Sequence, residues 1–104
     1  EHKLVIGGTT LDYSSLTVTV GNISTELPQK EFMVLFHLLS YPNKIFTRRQ
    51  LMDEIWEMYS ETDERTVDVH INRLRDKFKN NLDFEIITVR GLGYKAIRKE
   101  PAKK

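Results

Sequence analysis

The hydrophobic pattern of this chain changes period at Pro28. Before it, Leu16-Thr17-Val18-Thr19-Val20 alternates, the two-residue rhythm of a strand with one buried and one wet face. After it, Phe32, Leu35, Phe36 and Leu39 recur at spacings of three and four, the rhythm of one helix face. A chain that switches in this way is a sheet followed by helices. A short meander needs a hydrophobic partner for stability, so the helices are expected to cover it.

The remaining punctuation sorts the elements. Leu4-Val5-Ile6 stops at Gly7-Gly8, Leu11-Asp12-Tyr13 runs into Ser14-Ser15, and Gly21-Asn22 separates Leu16–Val20 from Ile23–Leu27. These β-prone runs predict an antiparallel meander, with Gly21-Asn22 its sharpest hairpin signal. Pro28 suits a first helical turn, where its missing N–H leaves no bond unmade. Pro42-Asn43 closes that helix, and Ile45-Phe46 reads as a short extended link. Thr47 with Gln50 forms a capping-box signature for a second helix, whose apolar side is Leu51, Met52, Ile55 and Trp56. A polar, acidic loop follows over 57–63. Val67, Ile71, Leu74 and Phe78 then mark a third helix from about Glu64 to Lys79. Ile86–Val89 and Gly93–Ile97 read as a closing hairpin around Arg90-Gly91-Leu92, before a tail over 99–104.

The expectation is therefore an α+β fold in one domain over 1–104, with a sheet over 1–27, three helices over 28–79 and a hairpin over 80–98. A length of 104 residues suits one domain. Cysteine is absent, which excludes disulfides, cysteine-based zinc sites and thiol nucleophiles. The longest apolar stretch, Phe32–Leu39, is broken by His37 and too short to span a bilayer. The three histidines are scattered without metal-ligand spacing, and no catalytic constellation stands out, so neither metal, cofactor nor enzymatic activity is expected. Gly91-Leu92-Gly93 is followed by no helix and reads as a turn, not a phosphate loop. With no signal peptide and no initiator Met, the expectation is a domain of a longer protein of the reducing cytoplasm.

Charge is informative through its distribution. The net charge is +1, yet residues 65–104 hold 11 basic and 5 acidic side chains, against 5 and 10 in residues 1–64. Such polarity suits an anion-facing surface in the second half.

The third helix sharpens this. At roughly 100° per residue, Arg65, Val69, Asn72 and Asp76 fall opposite the apolar stripe. Thr66, Arg73 and His70 flank them on one side, Asp68 and Arg75 on the other. Arg forks onto guanine, Asn pairs with adenine, and a small apolar group meets a thymine methyl in a DNA major groove. Thr and His suit phosphates. The plainer alternative is a solvated helix whose charges satisfy their neighbours. Val69 on the wet face, and the basic hairpin tip at Arg90, favour nucleic acid.

RTVDVHINRLRDKF (Arg65 to Phe78) followed by ITVRGLGYK (Ile87 to Lys95) closely resembles the effector domains of OmpR/PhoB-type response regulators. KEF (Lys30 to Phe32) and FTRRQLMDEIW (Phe46 to Trp56) match the same family in order. The resemblance implies a winged helix-turn-helix: an N-terminal antiparallel sheet, three helices and a C-terminal β-hairpin wing. It also implies sequence-specific binding of double-stranded promoter DNA, with the third helix in the major groove. Val69, Asn72, Arg73 and Arg75 then face bases or adjacent phosphates, while Arg65, Thr66 and His70 grip the backbone. Arg90 reaches the minor groove, with Thr88, Gly91 and Tyr94 along phosphates. Arg48 and Trp56 approach the backbone from the second helix and the next loop. The loop Glu57, Met58, Tyr59, Ser60, Glu61, Thr62 and Asp63 takes the place from which such regulators touch RNA polymerase. A solvated acidic loop is the plainer reading of the same residues.

By the same resemblance, two copies bind direct repeats as a dimer on DNA, about one helical turn apart. A sensor histidine kinase would act through a receiver domain that this chain lacks. Asn72 departs from the basic residue many members carry there, which implies a different base preference and a weaker electrostatic grip, and Pro28 stands where a Thr helix cap is common. A winged-helix module that binds protein is the competing class.

Overall fold

The computed structural model describes residues 2–56 and 62–99. Four strands open the chain: β1 (Lys3–Ile6), β2 (Thr9–Asp12), β3 (Thr17–Val20) and β4 (Ile23–Glu26). They pair antiparallel in that order. Register places Leu4, Leu11, Val18 and Thr25 in one row across the sheet, and Val5, Thr10, Thr19 and Ser24 in a row on the other face. Leu11 and Val18 are wholly buried, so the first row faces the core, as the alternation of Leu16–Val20 requires. Gly21-Asn22 is the two-residue turn between β3 and β4.

Three helices follow: α1 (Gln29–Ser40), α2 (Arg48–Ile55) and α3 (Arg65–Lys77). Pro28 does not enter the first turn of α1. Its φ of −56° and ψ of 148° make it the residue before the helix, with its carbonyl accepting the Phe32 N–H at 2.9 Å. The Leu27 N–H donates to the Leu16 carbonyl at 2.9 Å, which holds the chain to the sheet up to that point. α2 carries the expected capping box: the Gln50 N–H donates to Thr47 Oγ1 at 3.0 Å and the Thr47 N–H to Gln50 Oε1 at 2.9 Å. Its far end is closed by Lys30, whose Nζ donates to the Ile55 carbonyl at 3.0 Å. Phe32, Val34, Leu35, Leu38 and Leu39 of α1, Leu51 of α2, and Val67, Ile71 and Leu74 of α3 meet in one buried cluster with the sheet. α3 ends two residues short of Lys79, with Phe78 half-buried at its close.

The hairpin of β5 (Phe84–Val89) and β6 (Gly93–Arg98) is longer than the sequence suggests and begins at buried Phe84. Phe46 is more than a link. It exchanges two backbone hydrogen bonds with Tyr94, at 2.8 and 2.9 Å, an isolated antiparallel bridge on the edge of the wing. The approach is close enough that a Cβ on Gly93 would lie 2.0 Å from the Phe46 carbonyl oxygen, so only glycine fits. At the opposite end, the Asp83 carboxylate accepts the Gly8 N–H at 3.1 Å and the Thr9 hydroxyl at 2.7 Å. Asn81 Nδ2 also donates to Thr9 Oγ1, at 2.9 Å. These bonds tie the first sheet to the base of the wing.

Two titratable groups lie in the packing. Glu31 of α1 is 1% exposed, and its Oε2 accepts Lys77 Nζ of α3 at 2.5 Å. Its Oε1 has no hydrogen-bond partner among the described residues. Removing the lysine would strand a buried carboxylate, which costs more than replacing both partners by apolar groups. Lys77→Met is expected to destabilise the fold by about 1–3 kcal/mol, limited by solvent reaching the ammonium. Adding Glu31→Leu should restore most of that loss. Urea midpoints of the two single variants and the double variant check this; strictly additive losses would show that the pair is not coupled.

His37 packs against Phe46 at 4.7 Å and Tyr41 at 5.2 Å between ring centroids. Burial lowers its pKa below the ordinary 6.5, with Glu54 opposing and Lys44 adding to the shift. The unfolded chain therefore takes up a proton that the folded chain resists. The stability carried by the neutral ring is complete above about pH 6.5 and falls as pH drops through the lowered value. His37→Phe should flatten the decline in melting temperature between about pH 7 and pH 5. An unchanged slope would assign the decline to other groups.

Candidate nucleic-acid interface

With Val67, Ile71 and Leu74 facing the core, α3 turns Arg65, Val69, Asn72, Arg73 and Asp76 to solvent. Val69 is 44% exposed. The start of the helix is tied down. The Asp63 carboxylate accepts the Arg65 backbone N–H at 2.9 Å and pairs with its guanidinium at 3.0 Å. The Asp63 carbonyl accepts the Thr66 N–H at 2.9 Å. Hydrogen bonds from Arg65 hold the Asp63 carboxyl below its ordinary range and raise the guanidinium in return. Arg49 of α2 pairs with Glu64 at 2.9 Å. Thr62 and Asp63 are the described part of the expected polymerase-facing loop; Glu57, Met58, Tyr59, Ser60 and Glu61 lie outside the described residues.

One turn further on, His70 Nδ1 lies 2.8 Å from the Thr66 carbonyl, which can only accept, so Nδ1 carries the proton. Trp56 meets the imidazole edge-on at 5.3 Å and packs against the core, so it anchors the end of α2 against α3. On the other flank, Arg75 Nε donates to the Ile86 carbonyl at 3.2 Å and its Nη2 to Thr88 Oγ1. The same guanidinium lies 5.7 Å from the centre of the Tyr94 ring. The Tyr94 hydroxyl donates to Asp68, and burial together with that bond pushes its pKa up to about 12.

The residues singled out in the sequence thus fall into two groups. Arg48, Arg65, His70, Arg75, Thr88 and Tyr94 each make a side-chain hydrogen bond or ion pair inside the protein, Thr66 bonds through its backbone carbonyl, and Trp56 packs edge-on against His70. Val69, Asn72 and Arg73 on α3, and Arg90 with Gly91 at the wing turn, face solvent and make no side-chain hydrogen bond or ion pair among the described residues. Asp68 is the residue that sequence reasoning missed. It reads as a flank acid serving its own helix, but it reaches Arg48, twenty residues back, and Tyr94 in the wing. Leu92, 58% exposed in the same turn as Arg90, carries no sequence signal beyond that of a turn residue. A shallow cavity of about 380 Å³ is lined by Arg48 and Asp68 together with the wing residues Thr88, Leu92 and Tyr94.

A capped helix leading to a second helix with an exposed arginine–amide–methyl face, flanked by a clamped β-hairpin, defines the winged helix-turn-helix class of module. The chain belongs to the family of transcriptional regulatory protein C-terminal domains, the OmpR/PhoB type, whose profile matches residues 22–96. It is 50% identical over 94 residues to the heme response regulator HssR of Staphylococcus aureus strain JH9, covering 89% of this chain and 42% of that protein. The chain therefore spans less than half the length of the curated relatives it matches. The DNA-binding domain of the response regulator AdeR, solved in complex with an intercistronic region, superposes with a TM-score of 0.76. It is 32% identical, over 90% of this chain and 98% of that one. The Klebsiella pneumoniae RstA DNA-binding domain, solved in complex with the RstA box, also gives 0.76, at 30% identity over 93% and 98%. Domains of this family are non-enzymatic, DNA-binding regulators of transcription in two-component systems. Among the described residues, no helix is long and apolar enough to cross a membrane.

Proposed function

We propose that this chain reads double-stranded promoter DNA by sequence, with α3 in the major groove and the wing tip in the minor groove. The supporting observation is the exposed row of Val69, Asn72 and Arg73, free of side-chain bonds to the described protein, beside an equally exposed Arg90. An unpaired guanidinium and amide at helical spacing offer donors for guanine and adenine edges, and Val69 offers a methyl contact for thymine. Arg48, Arg65, Thr66, His70, Thr88, Gly91 and Tyr94 line the phosphates. Arg75 reaches DNA only by giving up its bonds to β5, and Trp56 approaches the backbone through the end of α2. AdeR and RstA, both solved on DNA, support this reading by likeness.

The wider assembly is part of the same proposal. Two copies bind direct repeats head to tail as a dimer, and the loop over 57–63 faces RNA polymerase. A sensor histidine kinase acts through a receiver domain elsewhere in a longer cytoplasmic protein. Joining two modules through such a domain supplies effective concentration, so the isolated chain binds weakly.

Selection of bound duplexes from a random pool, followed by anisotropy titrations at several salt concentrations, tests the reading. Val69→Glu should abolish preference for the selected site while the melting temperature stays near wild type; a large fall in melting temperature would make Val69 a packing residue instead. Arg90→Ala should weaken binding and lower the salt slope by about 1. Unchanged affinity would remove the wing from the interface. Binding indifferent to both salt and sequence would move the module to the protein-binding class.

A further inference from the structure

An acid stands on the half of α3 that flanks the proposed reading face. Asp68 is half-exposed, and both of its oxygens are engaged. Oδ2 accepts Arg48 Nη1 at 3.1 Å, from the first residue of α2, and Oδ1 accepts the Tyr94 hydroxyl of β6. The two partners are themselves close in the chain fold. Arg48 lies two residues after Phe46, whose backbone pairs with that of Tyr94. Three elements are joined at one carboxylate: the start of α2, the first half of α3 and the turn end of the wing.

Stability does not account for this arrangement. Arg48 and Asp68 keep 42% and 35% of their side-chain surface in contact with solvent, and an ion pair so placed contributes little to folding. Its electrostatic effect on a polyanion is unfavourable, since a carboxylate near phosphates repels them. What the carboxylate does supply is geometry. A helix in one groove and a hairpin tip in the next must be held at a fixed separation and angle if both are to engage together, and loosely held contacts lose affinity to ordering. From this we infer that Asp68 is a positioning residue for DNA recognition: it fixes the wing and the Arg48 guanidinium relative to α3 without itself contacting DNA.

The inference rests on the DNA reading proposed above, and it reverses the simple electrostatic expectation. Removing a negative charge should tighten binding to any duplex. If Asp68 is a positioning residue, Asp68→Asn instead weakens binding to the selected site by tenfold or more, while affinity for random duplex stays level or rises. Tyr94→Phe, which removes only the wing arm and leaves the charge, should weaken binding to the selected site by a smaller factor than Asp68→Asn, and by more than it weakens binding to random duplex. Without DNA, hydrogen exchange at the amides of Leu92 and Tyr94 should accelerate in both variants, with melting temperatures close to wild type. Equal or tighter specific binding by Asp68→Asn would overturn the inference, as would a proportional loss on both duplexes or unaltered wing exchange. A wild-type chain that selects no duplex would instead defeat the DNA reading, while the exchange measurement still decides whether the carboxylate holds the wing.

Discussion

The rotation of α3 about its own axis is the constraint on which the rest depends. One face of that helix must be core wall while the opposite face is left for recognition, and a shift of about two residues, roughly 200°, would exchange them. Val67, Ile71 and Leu74, all wholly buried, fix the rotation through apolar area alone. Hydrophobic burial is non-directional, however, and tolerates sliding along the axis. Directional bonds at the two ends remove that freedom. Lys77 reaches the buried Glu31 of α1 at one end, while Asp63 and Glu64 tie the other end to Arg65 and to Arg49 of α2.

The wing is held by a different kind of contact. A lone two-stranded hairpin is marginal in water, and β5–β6 escapes that condition by backbone pairing with Phe46 and by burying Phe84, Ile86 and Ala96. Gly93 permits the close approach, and Arg75 stitches β5 back to α3. The hairpin is therefore an extension of the helical unit, and its tip, Arg90 to Leu92, projects from a fixed base.

Much of this was legible in the sequence because it is periodic or local. The Leu16–Val20 alternation, the Thr47–Gln50 box and the Val67–Phe78 stripe each specify structure within a few residues; the box forms as read, the stripe leaves Phe78 half-buried, and the alternation holds at buried Val18 but not at its ends, where Leu16 turns with a φ of 57° and Val20 is exposed. What escaped is what acts at a distance or in a single residue. Phe46 pairs through one bridge, which carries no period. Glu31 reads as a first-turn acid suited to the helix dipole, yet it is buried against Lys77, forty-six residues later. Pro28 has the chemistry of a first-turn residue, but pairing of Leu27 with Leu16 keeps it outside the helix. For the candidate site, the wheel separated outward from inward side chains correctly. It could not tell exposed arginines with partners from those without.

That distinction changes what the charge arithmetic means. The division of the chain into an acidic and a basic half suggests a reservoir of cations in the second half facing away from anions in the first. The fold instead brings the two halves together at Arg65 with Asp63 and Lys77 with Glu31, pairs Arg48 of the first half with Asp68 of the second, and closes Arg49 on Glu64 within the first half. A paired guanidinium approaching a phosphate exchanges one anion for another, and gains only the difference between them. An unpaired one gains the full release of its condensed counterion from the nucleic acid. Arg73 and Arg90, which have no internal partner among the described residues, therefore weigh more in a polyanion's affinity than their share of the basic residues implies. The partnered arginines contribute chiefly by holding the helices and the wing where those two can reach.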